Sequence, residues 1–593
     1  MEEKAIKVKD RKAGIGQSAA IDIIFLVAFA AALVFLIWKC QFGFGNVDEA
    51  FYMTTPYRLV QGDGLFQQEW HLSQMCSFLI MPIMKVYMMI VGNTEGIILN
   101  FRYIYTALQA LGCLFIYYRL RKINKIGAGL GALAFMIYAP FGIMAMSYNS
   151  LGILDLSVAL VTVFTAKKMK WLQYIIAGLF FAGAVLCNPY LITLYAVFFA
   201  AVVIASIWRK KKRRLAPEDS VYTFKTWLFI TIGCAAVAAA FGAFVLSRAE
   251  ISKIIESIPY MLIDPYHVYR TFKNVIETYA SSIITANKFT ILIYCMFLAE
   301  LIFMLIDRKR EQHRKWYWIA ASAITFILMM SFMVTFKYIN FTMFPLNVLA
   351  FFGFVLYRNE MIQKLFCRMW IPAMIYTFCI HWSSNQEFYA ISSSSTAAII
   401  GSIMIIVLAY KEAFAEESRV SFKSVAAVAL AVILFVSQFA CEGYMRYKSV
   451  FWESLDILQD TKIAEGPEKG VYASAASQQP YDELMDIKKM VDSEYPKAQS
   501  VAFVVESSWA YLIFGNLRAG TNSTWLAGEG DGISEEAVRK QMSYYEINPD
   551  KIPDLVYFDY KYTEFRDYFE ELDDYKAEDL ANGGLLLIRS SVY

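Results

Sequence analysis

The chain has 593 residues, 58% of them hydrophobic and 16% aromatic, with a mean hydropathy of +0.43. Only 18% are charged, against about 25% in ordinary soluble domains, which excludes an average soluble protein. The net charge of +3 hides a division: residues 444–593 carry 15 Lys/Arg against 27 Asp/Glu, net −12, leaving +15 for the first 443, and such asymmetry suggests two compartments.

The first apolar run, residues 21–38, keeps a basic flank and lacks a small-residue cleavage site, so it reads as an uncleaved helix. Runs of similar length recur to residue 440, each able to cross a hydrocarbon core about 30 Å thick. A long loop follows the first run, spanning 40–96. It opens with Asn46-Val47-Asp48-Glu49-Ala50-Phe51-Tyr52 and continues through Tyr57-Arg58-Leu59, Gln61-Gly62-Asp63-Gly64 and Glu69-Trp70-His71. Within it, 78–91 is apolar but short, and Pro82 and Lys85 interrupt it, so an interfacial or re-entrant helix is expected rather than a crossing.

Thirteen crossings are predicted in all. They lie near 21–39, 97–118, 127–146, 149–166, 171–187, 190–208, 225–246, 289–306, 316–335, 340–357, 369–383, 395–410 and 423–440. Lys and Arg gather in alternate links, at 119–125, 167–170, 209–214, 308–315, 358–368 and 411–423. By the positive-inside rule this places the N-terminus in the cytoplasm and the C-terminus outside. The basic links follow from that rule, with attraction to anionic lipids added, and require no nucleic acid.

Four positions interrupt the apolar pattern. Lys337 is the lone base in an otherwise uncharged external turn, and a snorkelling side chain accounts for it as readily as a phosphate contact does. Asp155 enters the fourth crossing, where an ionisable group usually faces a cavity or a partner. Asp264-Pro265-Tyr266-His267, in a second long external segment at 247–288, reads first as a turn. Ser392 to Ser395 read as an external loop entering a helix.

Residues 444–593 are expected to form an external α/β domain, leaving 1–443 as the membrane domain. Strands are predicted near 470–473, 500–505, 555–558 and 585–588, and helices near 481–495 and 534–545. Ser534 followed by Glu535 and Glu536 suits a helix N-terminus. All nine cysteines precede this domain without metal-ligand spacing, which points to apolar packing. Cys40, Cys76 and Cys441 fall near one predicted membrane face, which leaves a disulfide among them open.

The Asp48-Glu49 pair just beyond the first helix, then Gly62-Asp63, the interfacial stretch 75–92 and Phe101-Arg102-Tyr103 opening the next crossing stand in a distinctive order. In that order and spacing the sequence resembles the C-type (GT-C) integral-membrane glycosyltransferases, in the branch of protein O-mannosyltransferases and aminoarabinose transferases. The helix count and external C-terminal domain look similar too. The resemblance implies a GT-C-like fold, a polyprenyl-phosphate-linked sugar donor, a glycan, lipid or protein acceptor in the cell envelope, and inverting transfer at the external face of a bacterial plasma (inner) membrane.

By the same resemblance Asp48 is the general base and Glu49 its support or an acceptor contact. Arg58, Arg102 and Lys337 are candidates for the donor phosphate, whose departing charge needs a cation nearby. A second acid of such enzymes falls at Asn149 or Asp155. Glu69, His71 and Asp264 are candidate substrate contacts. A divalent metal is compatible with this chemistry, but no metal ligands are assigned. Two other classes share the architecture: polysaccharide polymerases or ligases using lipid-linked substrates, expected to favour arginine-rich external loops, and transporters or flippases, expected to show inverted repeats.

Overall fold

The computed structural model describes all residues except 1, 46, 72, 213–219, 264–269, 336–342, 358, 385, 415–421, 449–458, 506, 525 and 527–533. The membrane part runs α1 (Glu2–Lys39), α2 (Val47–Gln61), α3 (Ser77–Val91), α4 (Ile97–Leu120), α5 (Lys125–Ile137), α6 (Tyr148–Thr165) and α7 (Lys170–Cys187). It continues with α8 (Ile192–Lys211), α9 (Phe224–Leu246), α10 (Ile251–Met261), α11 (Phe272–Ile284), α12 (Thr290–Ile306) and α13 (Arg310–Thr335). Then come α14 (Met343–Leu356), α15 (Glu360–Leu365), α16 (Ile371–Trp382), α17 (Glu387–Ser394), α18 (Thr396–Phe414) and α19 (Phe422–Lys448).

Eleven helical segments among the described residues are long and apolar enough to cross a membrane, and the chain is a multi-pass membrane protein. Ten coincide with expected crossings. The eleventh, Gln74–Val91, contains the stretch expected to be interfacial, so length alone does not exclude it from spanning. Its surroundings favour the interface. Phe78 packs on Phe241 and Phe244 at the end of α9, and Tyr87 packs on Phe101 in the first turns of α4. Thr94, just past α3, bonds the Leu512 carbonyl of the C-terminal domain at 2.7 Å. Both ends of α3 thus lie near the end of the bundle that carries this domain. The expected crossings at 289–306 and 340–357 are shorter apolar helices, α12 and α14, and that at 369–383 is α16, joined to α15 by a π-helical turn.

Small residues set the closest helix contacts. A Cβ on Gly178 of α7 would lie 2.1 Å from the Ile230 carbonyl, and one on Gly233 of α9 would lie 2.1 Å from the Ile175 carbonyl. Ser392 to Ser394 belong to α17 rather than to a loop: the hydroxyls of Ser394 and Ser395 satisfy themselves on the helix's own carbonyls, which permits their burial. All nine cysteines are free, and the close pair is Cys76 with Cys187, Sγ atoms 3.6 Å apart, rather than any pairing of Cys40, Cys76 and Cys441.

The C-terminal part holds a short antiparallel pair, β1 (Thr461–Lys462) and β2 (Tyr472–Ala473), and a five-stranded sheet. That sheet contains β3 (Ser500–Val504), β4 (Arg518–Ala519), β5 (Leu555–Phe558), β6 (Tyr575–Asp579) and β7 (Leu585–Arg589), in spatial order β4-β3-β5-β7-β6. The β4-β3-β5 side is parallel and the β5-β7-β6 side antiparallel. Its helices are α20 (Ala475–Glu494), α21 (Ala510–Ile513), α22 (Glu535–Ile547) and α23 (Arg566–Glu570).

Alternation along the strands makes two cores. Val501 and Phe503 face one side with α20, and Ala502 and Val504 face the other with α22. Each core also takes residues from the membrane part: Phe44 and Ala50 enter the first, Trp70 and Met261 the second.

Candidate active site

Where α1 ends, the chain turns through residues 40–45 into α2, and the C-terminal domain holds that turn. The Gly43 amide donates to the Tyr472 carbonyl at 2.8 Å and the Tyr472 amide to the Gln41 carbonyl at 2.7 Å. The Gly45 amide donates to Glu468 Oε1 at 3.1 Å. A Cβ on Gly45 would meet that same oxygen at 2.4 Å and Ile98 Cγ2 at 2.9 Å, so a larger residue would displace the Glu468 side chain from this contact.

Arg102 locks the turn from α4. Its Nε and Nη2 engage Glu49 Oε1 and Oε2 at 2.8 and 2.5 Å, and its other donors reach the carbonyls of Cys40 and Gly43 at 2.9 and 2.8 Å. Both side chains are buried. Glu49 is therefore an anchor for the first turn of α2, and Arg102 commits its donors to the protein instead of presenting them to a phosphate.

Asp48 shares that first turn but points elsewhere. It is half-buried, and its Oδ2 accepts from the Tyr52 hydroxyl at 3.5 Å. The Tyr148 ring, at the start of α6, meets Tyr52 edge-on with centroids 5.3 Å apart, and both phenols feel the Asp48 charge. Burial first, then Asp48, then Tyr148 hold the Tyr52 phenol well above its ordinary range, so it stays protonated beside the carboxylate. Asn149 is buried in the first turn of α6, behind the Ser147–Ser150 capping box. Asp155 lies six residues further along α6, about 9 Å by helical rise. There it faces α7 at Gly183, whose added Cβ would stand 2.3 Å from Asp155 Oδ2.

Arg58 occupies the other end of α2. Its Nε bonds Asp63 Oδ2 at 2.8 Å, Nη1 bonds Glu69 Oε2 at 2.7 Å, and Nη2 reaches the carbonyls of Gln68 and Thr521, both at 2.8 Å. Lys551 of the C-terminal domain closes the network on Asp63 Oδ1. Burial pulls the Arg58 pKa down, but Glu69 and Asp63 outweigh it and hold the guanidinium above its ordinary value. Arg58 and Glu69 thus join the loop to the C-terminal domain, in place of the phosphate and substrate contacts expected of them. His71 accepts from the Ser73 amide on Nδ1 at 3.2 Å and packs on Phe51, centroids 4.5 Å apart.

Lys337 and Asp264 lie outside the described residues. Among the described residues, no group of three or more His, Cys, Asp or Glu side chains stands together as a metal-ligand set.

One cation escaped the sequence reading. The last crossing was expected to stop at residue 440, but α19 continues to Lys448 and carries Glu442 and Arg446 to the same end of the bundle. Arg446 is buried, close enough to Arg102 and Glu49 for their charges to act on it. The signal available in the sequence was the i, i+4, i+8 series Gln438, Glu442 and Arg446, which continues one helical face past the apolar run.

No family model and no curated protein matches the sequence. Among solved structures, the chain is similar to the archaeal oligosaccharyltransferase AglB from Archaeoglobus fulgidus in complex with an inhibitory peptide and a dolichol-phosphate. Identity is 12%, coverage 95% of this chain and 74% of that one, and the TM-score 0.43. It is also similar to the Archaeoglobus fulgidus oligosaccharyltransferase in its apo form, at 12% identity, coverage of 92% and 71%, and a TM-score of 0.45. At that distance the likeness assigns no activity to this chain.

Proposed function

We propose that the protein is an inverting, GT-C-like glycosyltransferase of the plasma membrane. It moves a sugar from a polyprenyl-phosphate donor to a cell-envelope glycan, lipid or protein on the external face, with Asp48 as general base. One observation carries the reading: a half-buried carboxylate at a fixed helix start, beside two tyrosines, while its neighbour Glu49 is pinned to Arg102.

Asp48 takes the proton of an acceptor hydroxyl as that oxygen attacks the anomeric carbon. The bond to the phosphate oxygen breaks with its electron pair on the opposite side, which inverts the centre. Glu49 and Arg102 act as positioning residues, because their paired contacts fix the direction of the first turn of α2. Tyr52 and Tyr148 wall the carboxylate, and in this reading Asn149, next to Tyr148 in the sequence, is the second polar contact.

The test is sugar transfer from a polyprenyl-phosphate donor by the purified protein and its Asp48→Asn variant. Loss of a general base is expected to lower the rate by about 10²–10⁴-fold with little change in melting temperature. Unchanged turnover in the variant removes Asp48 from the mechanism.

A further inference from the structure

Helix α10 carries an apolar stripe that the described residues leave uncovered. Ile251, Ile255, Ile258 and Leu262 follow one another at helical spacing along the helix and its cap, and they are 43–71% exposed. Successive residues of a helix are about 100° apart, so positions two apart lie on nearly opposite sides. Lys253 is two after Ile251, Glu256 two before Ile258, and Tyr260 two after it. The side away from the stripe is therefore the one that carries charge and meets the C-terminal domain. There the Tyr260 ring stacks on Trp70, centroids 5.8 Å apart, and Lys540 Nζ of α22 donates to the Ile263 carbonyl at 2.6 Å. Ile254, between the two sides, packs on the cluster of Leu59, Leu65 and Val245.

What the stripe meets follows from where α10 begins. Helix α9 is one of the spanning segments. Its 23 residues rise about 34 Å, slightly more than a hydrocarbon core of about 30 Å. Val245, in its last turn, supports Ile254, and the chain turns there with the Ala249 amide on the Val245 carbonyl at 3.0 Å. Helix α10 thus starts at the end of α9, at the level where hydrocarbon gives way to headgroups. Leu246, the exposed last residue of α9, leads within five positions to Ile251. In that zone a helix with one apolar and one charged side lies in the membrane plane, apolar side toward the acyl chains.

We propose that the side of α10 bearing Ile251, Ile255, Ile258 and Leu262 is immersed in the lipid leaflet beneath the C-terminal domain. Its partner is a lipid surface, met through acyl chains and not through headgroup charge, since the stripe carries none. Helix α10 then stands between the bilayer and the C-terminal domain and holds Trp70 at a fixed height above the lipid. The proposal is independent of whether the chain transfers sugar.

The test places benzoylphenylalanine at position 255, 258 or 256 of the full chain in phosphatidylcholine nanodiscs, and reads photo-adducts by peptide mass spectrometry. Lipid adducts are expected at 255 and 258 and absent at 256. Adducts at 255 or 258 to a second copy or to another protein overturn the proposal and make this face a protein interface. No lipid adduct at either position, or as much at 256, overturns it as well. Should the labelled chains fail to fold, the wild type in nanodiscs holding a diazirine-bearing phosphatidylcholine carries the comparison. Adducts on the stripe then support the proposal, and adducts on α9 with none on the stripe overturn it. In the same nanodiscs, Ile255→Asp combined with Ile258→Asp is expected to raise amide hydrogen exchange across 251–263 and to leave that of α9 unchanged. Wild-type exchange across 251–263 in that variant would mean that lipid does not hold the helix.

Discussion

Glu69 shows how a buried carboxylate can join two parts of a chain and still be costly. Burial raises its pKa above the ordinary 4.5, with Arg58 at 2.7 Å opposing the rise. A carboxyl raised in the folded state binds its proton more readily there than in the unfolded chain. Its contribution to stability is therefore complete below about pH 4.5 and is lost as pH rises through the folded value. The permanently neutral Glu69→Gln variant lacks that dependence. Relative to wild type, its melting temperature is expected to gain as pH goes from about 4.5 to 7. A wild-type minus variant difference that does not vary with pH would show that Arg58 cancels the burial effect. Arg58→Met, by contrast, leaves Glu69 buried without its cation and Asp63 with Lys551 alone, and removing one partner of such a network costs about 3–5 kcal/mol.

Between elements, α7 and α9 cross tightly where Gly178 and Gly233 each lie against a carbonyl of the other helix. Neither Cβ has room without backbone movement. Gly233→Leu is expected to cost at least the 1–3 kcal/mol or so typical of overpacking, seen as a lower melting temperature and loss of monodisperse protein. The effect should reach the candidate site, because α7 also carries Gly183 against Asp155 of α6.

This scale also separates what the sequence made legible from what it did not. Long apolar runs identified ten of the spanning helices, since a single physical requirement, burial in hydrocarbon, writes itself along the chain. Ser534 with Glu535 and Glu536 likewise marked α22, whose cap accepts from the Ala537 amide at 3.2 Å. The edge strand β6 escaped because Tyr-Lys-Ala-Glu-Asp is half-exposed and charged, as edge strands are when they avoid further pairing. Helix α20 begins at Ala475, ahead of Pro480, where sequence suggested a start at 481. In the site, Asp48 and Glu49 were legible as a pair, with Glu49 read as a support or an acceptor contact, but the pairing of Glu49 with Arg102 was not. Which of two adjacent carboxylates meets Arg102, 53 positions away, is a matter of tertiary direction. The same holds for Arg58, whose partner carbonyl on Thr521 lies 463 residues on.

Across the whole molecule, those long-range partners make the C-terminal domain part of the site's scaffold. Loop 61–71 runs between α2 and the sheet, with the Trp70 amide on the Asn522 carbonyl at 2.8 Å and Asn548 Nδ2 on the Gln67 carbonyl at 3.0 Å. Thr54, on α2 itself, bonds Thr524 at 2.9 Å. A chain ending at residue 458 would keep every spanning helix, yet it would expose Trp70 and Phe44, strip Asp63 of Lys551, and free the turn that aims Asp48. It is expected to insert into membranes, to be cut by protease between 61 and 71 where the full chain resists, and to lose sugar transfer. Adding the separate domain back should not restore activity at ordinary concentrations, because the tether supplies the effective concentration that keeps the two parts docked. Full transfer by the truncated chain would mean that α1, α2 and α4 alone fix the base, and that the contacts with the sheet serve some other purpose.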